Sequence, residues 1–324
     1  MSRVPHVLVR ARETVLGHVA TVGGFARGVI APQRAPAGVP FEARVPDAVL
    51  GDVPLVGELA NAEAPSLVIA VHGMGGTIES PYVVRLARAA VAHGHAVLRI
   101  HLRGASGDGA DLYHAGLGHD LAALVTAPAL ARYERIAVVG YSLGGHIALR
   151  YAADGPHDPR LRAVVAVCPP VDLDRGTRAI MRLDRRPYQE YVLRSLRAQL
   201  VQVAAKGRLP VRAEDAPTIR TIREWDERII VPRFGFPSLE RFYADEAIGP
   251  RLGRIDVRTL AVIADRDPMI AIDSVTPWLP HARAPVTIVR KHRGGHVAFP
   301  DDVGLMGDRG GAIEPEILRW IEAG

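Results

Sequence analysis

Six short apolar runs recur along this chain and set the first limit on its fold. They read SLVIAVHG (66–73), HAVLRIH (95–101), RIAVVG (135–140), RAVVAVC (162–168), RTLAVIA (258–264) and VTIVR (286–290), each bounded by turn-forming residues. Most are continuous rather than alternating, which is the pattern of strands covered on both faces of a parallel sheet. Helical patterns lie between them. Val83, Leu86, Ala87, Ala90 and Val91 make one apolar face, and Leu121, Leu124 and Val125 begin another. The alternation predicts an α/β fold, a mostly parallel sheet with helices on both faces. A chain of 324 residues can bury such a core as one large domain with an insertion.

The stretch from about 171 to 252 breaks the rhythm. It holds no comparable strand, but it contains helical segments such as QEYVLRSLRAQLVQVAA and 7 of the chain's 17 aromatic residues. A mainly helical cap lining an apolar pocket over the strand ends has this composition, and so does a small helical subdomain using its aromatics only as its own core; the cap is the favoured reading. The expected organisation is therefore an N-terminal segment (1–40) and an α/β domain (41–324) carrying the cap at about 171–252. Within 1–40, the Pro/Ala/Gly-rich stretch from Ala31 to Pro40 reads as a connection. The uncharged stretch from Thr14 to Ala26 is too short to span a bilayer. A helix packed on the body of the protein is the favoured reading of this segment. A basic amphipathic helix lying on a membrane surface is the alternative.

Charge and cysteine content exclude some classes of function. The net charge is +5, but only Lys206 and Lys291 are lysines, and the arginines are scattered among acids rather than clustered. That distribution argues against nucleic acid as a partner. One cysteine, Cys168, rules out an intrachain disulfide and suits a reducing, cytoplasmic location. It ends an apolar run and reads as a small core residue. Nothing in the sequence sets an oligomeric state.

The chemistry gathers around GYSLGG (140–145). A glycine–x–serine–x–glycine match arises by chance in roughly one sequence in thirteen of this composition, so context has to carry it. Ser142 follows an apolar run and precedes a helical pattern, as a nucleophile on a sharp strand-to-helix turn requires. Gly140 and Gly144 leave room for the backbone crossing, and the helix start favours developing negative charge. A serine hydroxyl needs an adjacent base, and the chain order serine, acid, histidine selects candidates among 13 histidines. His296, in Gly294-Gly295-His296, is the expected base, with His292 as the fallback. Asp267, deeper in the loop after LAVIA, is the expected acid that orients the imidazole, with Asp265 as its competitor. Upstream, AVHGMGG supplies a glycine-rich loop after a strand. The amides of Met74, in that loop, and of Leu143, after the serine, are the expected oxyanion hole. His72 reads as a buried, hydrogen-bonded residue shaping the loop. No metal-ligand or nucleotide-binding spacing is present, so no metal and no cofactor are implied.

Taken together, these motifs resemble the YheT-like α/β-hydrolase family, bacterial relatives of abhydrolase-domain lipases and yeast medium-chain acyl esterases. The match is carried by His72-Gly73-Met74-Gly75-Gly76 with Glu79-Ser80-Pro81-Tyr82, by Leu102-Arg103-Gly104, and by Leu112-Tyr113-His114-Ala115-Gly116 with Asp120-Leu121. It continues through Gly140-Tyr141-Ser142-Leu143-Gly144-Gly145, Pro169-Pro170 with Asp172-Leu173, Arg223-Glu224-Trp225-Asp226, Asp267-Pro268 and Gly294-Gly295-His296. The family's N-terminal His-Leu-Gln-Thr-like signature is missing, and Ala298 stands where many members have glycine. The resemblance implies an α/β-hydrolase fold and a serine ester hydrolase with Ser142, Asp267 and His296 as its triad. Short- to medium-chain acyl esters, small or lipid-like, are the expected substrates. Acyl transfer to an alcohol by the same acyl-enzyme, or a silent scaffold with this fold, are the alternatives.

Overall fold

A computed structural model describes residues 6–306 and 310–324, the side chains of 6–12 and 29 excepted. The first element is helix α1 (His6–Ile30), followed by a hairpin of β1 (Gly38–Asp47) and β2 (Gly51–Ala60). Strand and helix then alternate: β3 (Ser66–Val71), α2 (Pro81–Ala92), β4 (Ala96–Ile100), α3 (Gly118–Val125), β5 (Arg135–Tyr141), α4 (Leu143–Ala153) and β6 (Leu161–Val167). A helical excursion follows, with α5 (Leu173–Ile180), α6 (Arg186–Lys206), α7 (Ile222–Trp225), α8 (Val231–Phe234) and α9 (Leu239–Glu246). The chain then returns to the sheet as β7 (Thr259–Ala264), α10 (Ile272–Val275) and β8 (Val286–Lys291), and α11 (Ile313–Glu322) comes last.

The sheet order is β1-β2-β4-β3-β5-β6-β7-β8, antiparallel at β1, β2 and β4 and parallel from β4 onward. All six apolar runs became strands of this sheet. The physical reason is visible in β3, where Leu67, Ile69 and Val71 join a core with α3 and α4 while Val68 and Ala70 join one with α2 and α11. A strand buried on both faces has no polar position to spare. The β1–β2 hairpin differs: Phe41, Ala43 and Val45 point inward while Glu42 and Arg44 point to solvent. The stretch 31–40, expected as a connection, therefore runs into β1 at Gly38.

From β3 the chain steps to β4 on one side, and β5 lies on the other side of β3. The loops leaving β3 and β5 thus diverge at a switch point, where α/β sheets open a crevice beyond their strand ends. A buried ionic cluster ties the helical excursion to this body. Arg103 holds Asp120 with two bonds of 2.6 Å and also meets Asp47 and Asp111. Arg233 of α8 grips Asp111 through two bonds of 2.8 Å and reaches Asp47 at 3.0 Å. Removing one partner would strand an uncompensated buried charge, which costs about 3–5 kcal/mol in such clusters. His146 of α4 adds a second tie, its ring nitrogens facing the carbonyls of Pro170 and Glu246 at the two ends of the excursion.

Candidate active site

Ser142 sits between β5 and α4 with φ 53° and ψ −121°, a conformation that L-residues rarely adopt. Three glycines make it attainable. A Cβ on Gly140 would strike the carbonyl of Gly144, and one on Gly144 would strike the carbonyl of His72. A Cβ on Gly73 would lie 2.9 Å from that of Ser142. The β3 loop and the turn after β5 therefore touch backbone to backbone, and the Ser142 N–H is secured by the Val167 carbonyl at 2.8 Å.

The loops after β7 and β8 bring two further groups to the serine. His296 Nε2 lies 2.9 Å from Ser142 Oγ, and its Nδ1 lies 2.8 Å from Asp267 Oδ2. The other oxygen of Asp267 accepts the N–H groups of Met269 and Ile270 at 2.8 and 2.9 Å, which fixes the carboxylate's orientation. Asp267 and His296 are both buried. Asp265 and His292 are elsewhere: Asp265 pairs with Arg290 at 2.8 Å and with His292, whose side chain is 82% exposed.

Met74 and Leu143, whose amides are the expected anion donors, both line the cavity beside Ser142. Of the amides in the β3 loop, Gly73 donates to Tyr82 Oη, Gly75 to Tyr113 Oη and Gly76 to the Gly73 carbonyl. Met74 lies among them on the cavity wall. Leu143 opens α4, where first-turn N–H groups have no intrahelical acceptor. His72 is fully buried, with Nδ1 facing the Gly73 carbonyl and Nε2 accepting the Leu102 N–H. Burial pushes its pKa down to about 4, so it is a neutral brace for the loop, as the sequence suggested.

Cys168 lies against this group, and single atoms of Cys168, Asp267 and His296 fall within 4.8 Å of one another. Burial and the Asp267 carboxylate push the thiol well above its usual range. His296 Nδ1 and Asp267 Oδ2 are engaged with one another at 2.8 Å, and the thiol lies beside this hydrogen-bonded pair. Cys168 is a buried core residue.

A cavity of about 370 Å³ opens above Ser142 and His296. Leu173 and Ile180 of α5, Tyr188 of α6 and Met269 line it, and Thr21 and Phe25 of α1 complete the wall. The contribution of α1 was not anticipated from sequence, although its small residues at 17, 21, 24 and 28 share one helical face.

Asp226 brings a buried carboxyl to the same wall. It begins a π-turn, Asp226–Ile230, between α7 and α8, and its Oδ2 accepts the Tyr243 hydroxyl at 2.8 Å. Burial raises its pKa from 3.8 to about 7, against the opposing pull of Tyr243 and Arg223. Between about pH 4 and pH 7 the folded protein therefore holds a proton that the unfolded chain releases, and stability falls as pH rises through that window. Asp226→Asn keeps an acceptor for Tyr243 and removes the titration. Urea unfolding should show the variant gaining roughly 2–4 kcal/mol on wild type between pH 4 and pH 8. A constant difference between the two proteins across that range would contradict this.

A sequence profile of the α/β-hydrolase fold family matches residues 66–303. The chain belongs to the α/β-hydrolase fold family. This α/β-hydrolase is 29% identical over 263 residues to "Putative esterase YheT" of Escherichia coli (strain K12), a match covering 79% of this chain and 76% of that one. It is 24% identical over 203 residues to "Monoacylglycerol lipase ABHD2" of Homo sapiens, covering 58% of this chain but only 46% of that one. Among solved structures, that of 2,6-dihydroxy-pseudo-oxynicotine hydrolase superimposes with a TM-score of 0.55 at 17% identity, over 97% of this chain and 82% of that one, a likeness of fold. The α/β-hydrolase is thus an enzyme of the hydrolase superfamily, YheT-like in sequence.

Proposed function

We propose that the protein is a serine carboxylic-ester hydrolase in which Ser142, His296 and Asp267 act as a triad and residues 171–252 form a cap over the acyl site. The carrying observation is the unbroken hydrogen-bonded line from Asp267 through His296 to Ser142, at 2.8 and 2.9 Å, under an apolar cavity. His296 takes the Ser142 proton as Oγ attacks the ester carbonyl, and the amides of Met74 and Leu143 hold the oxyanion. His296 then gives the proton to the leaving alcohol, and water, activated by the same imidazole, releases the acid. An added alcohol competing with water for the acyl-enzyme would give acyl transfer, which product analysis separates.

The apolar wall supports short to medium acyl chains as substrate. It also supports contact with a lipid surface. Val15, Val19 and Val22 of α1 are exposed, and Phe25 stacks edge-on against exposed Tyr191 at the cavity wall. No helix among the described residues is long and apolar enough to cross a membrane, so this contact would be peripheral. A p-nitrophenyl ester series read below and above each ester's solubility limit tests both points. Turnover should be highest for short and medium chains and should jump when the ester forms a separate phase. Equal rates at every chain length, with no change at the solubility limit, would overturn the pocket and surface assignments together.

A further inference from the structure

Helix α1 lies against the two loops that carry Asp267 and His296, at a distance only small residues allow. A Cβ on Gly17 would strike the Arg266 carbonyl, one on Gly24 would come within 2.5 Å of Ala298 Cβ, and one on Gly28 within 2.6 Å of Pro81. Thr21 shares this face one turn after Gly17 and is buried. Its Oγ1 donates to the Gly17 carbonyl at 2.9 Å and accepts the N–H of His296 at 2.8 Å. The opposite neighbour is equally constrained, since Gly295 has no room for a side chain beneath Thr21 and the Gly17 carbonyl.

The loop receiving this bond does not hold its own shape at low cost. His296 and Val297 sit at the tip of a tight return closed by Gly295 N–H to the Ala298 carbonyl at 2.8 Å. Val297 has φ 47°, a left-handed conformation that a β-branched residue reaches only when its surroundings impose it. The His296 N–H is buried, so a missing acceptor would leave a polar group unsatisfied and favour a shifted loop.

We propose that Thr21 is a positioning residue for the reaction, setting through the His296 backbone the distance from the imidazole to Ser142. The inference rests on the Ser142–His296 reading above. Helix α1 is on this view part of the active site, although it lies outside the profile-matched residues 66–303. A shift of about 1 Å at a catalytic group can slow chemistry roughly 100-fold, so the rate is a sensitive readout.

The test is the second-order rate constant for labelling by a fluorophosphonate, measured with kcat and KM for p-nitrophenyl butyrate. Thr21→Val keeps the shape and removes the acceptor. It should slow labelling and kcat roughly 10- to 100-fold with KM within about threefold of wild type. Thr21→Ser restores the acceptor and should recover both rates to within about threefold. Arg27→Ala, which breaks only the exposed pair of α1 with Asp301, should leave the rates unchanged. A misfolded fraction lowers the labelling amplitude rather than the rate constant, and Thr21→Ala repeats the test should the valine variant not fold. Labelling of Thr21→Val at the wild-type rate, or a serine variant as slow as the valine one, would overturn the role of Thr21. Ser142→Ala separates this from the parent reading: if that variant still labels and turns over, the Ser142 assignment itself has failed.

Discussion

Ser142→Ala is expected to slow hydrolysis of p-nitrophenyl butyrate by roughly 10⁴- to 10⁶-fold in kcat while the protein stays folded. The size of the effect follows from the geometry. Without Oγ there is no serine nucleophile, and His296, 2.9 Å from that position, is left with only a water to activate. In the proposed mechanism the residual rate comes from the Met74 and Leu143 amides and from binding alone, which act without the serine. Stability should change little, because the variant keeps the backbone bond from the residue-142 N–H to Val167 and loses only the Oγ bond to His296. Steady-state kinetics with a thermal melt check both halves. A variant within tenfold of wild type would mean that the ester is cleaved elsewhere.

Asp267→Asn should cost roughly 10³- to 10⁴-fold in kcat, by a different route. The asparagine carbonyl can keep the two backbone bonds that Oδ1 makes to Met269 and Ile270, which turns its amide group toward His296 Nδ1. An amide donor there stabilises the tautomer with the proton on Nε2, facing Ser142. That imidazole cannot accept the serine proton, so the geometry survives and the chemistry does not. Asp265→Asn is the internal comparison. Its carboxylate serves Arg290 and His292 at the surface, and its activity should stay near wild type. The reverse ranking of the two variants would move the acid to Asp265.

The parallel sheet was readable because strands buried on both faces leave uninterrupted apolar runs, and a run such as SLVIAV is short, rich in β-branched residues and bounded by turn-forming residues. The β1–β2 hairpin was harder. Its signal is the alternation Phe41-Glu42-Ala43-Arg44-Val45, which is brief and follows a Pro/Gly-rich stretch that reads as a loop. Ser142 and His296 stood out because a strained turn and a swinging imidazole need glycine neighbours, and glycines are visible in sequence. The expectation of Asp267 over Asp265 rests on loop depth, on Asp265 serving the turn and on the family resemblance. In the structure Asp267 is buried against His296, Asp265 pairs with Arg290, and the role of acid belongs to the proposed triad. Thr21 carried no such mark. Its importance arises from a contact 275 positions away, and periodicity within α1 shows a small-residue face without showing what it faces.

The most direct measurement is the site of covalent modification. The native protein is treated with a fluorophosphonate, its intact mass is measured, and the modified peptide is sequenced. One adduct per chain, located on Ser142 and absent when Asp267 is replaced by asparagine under the same short exposure, is the expected result. An unmodified Ser142 in folded, untreated-like protein, or an adduct on another residue at comparable rate, would contradict the triad as the reacting centre.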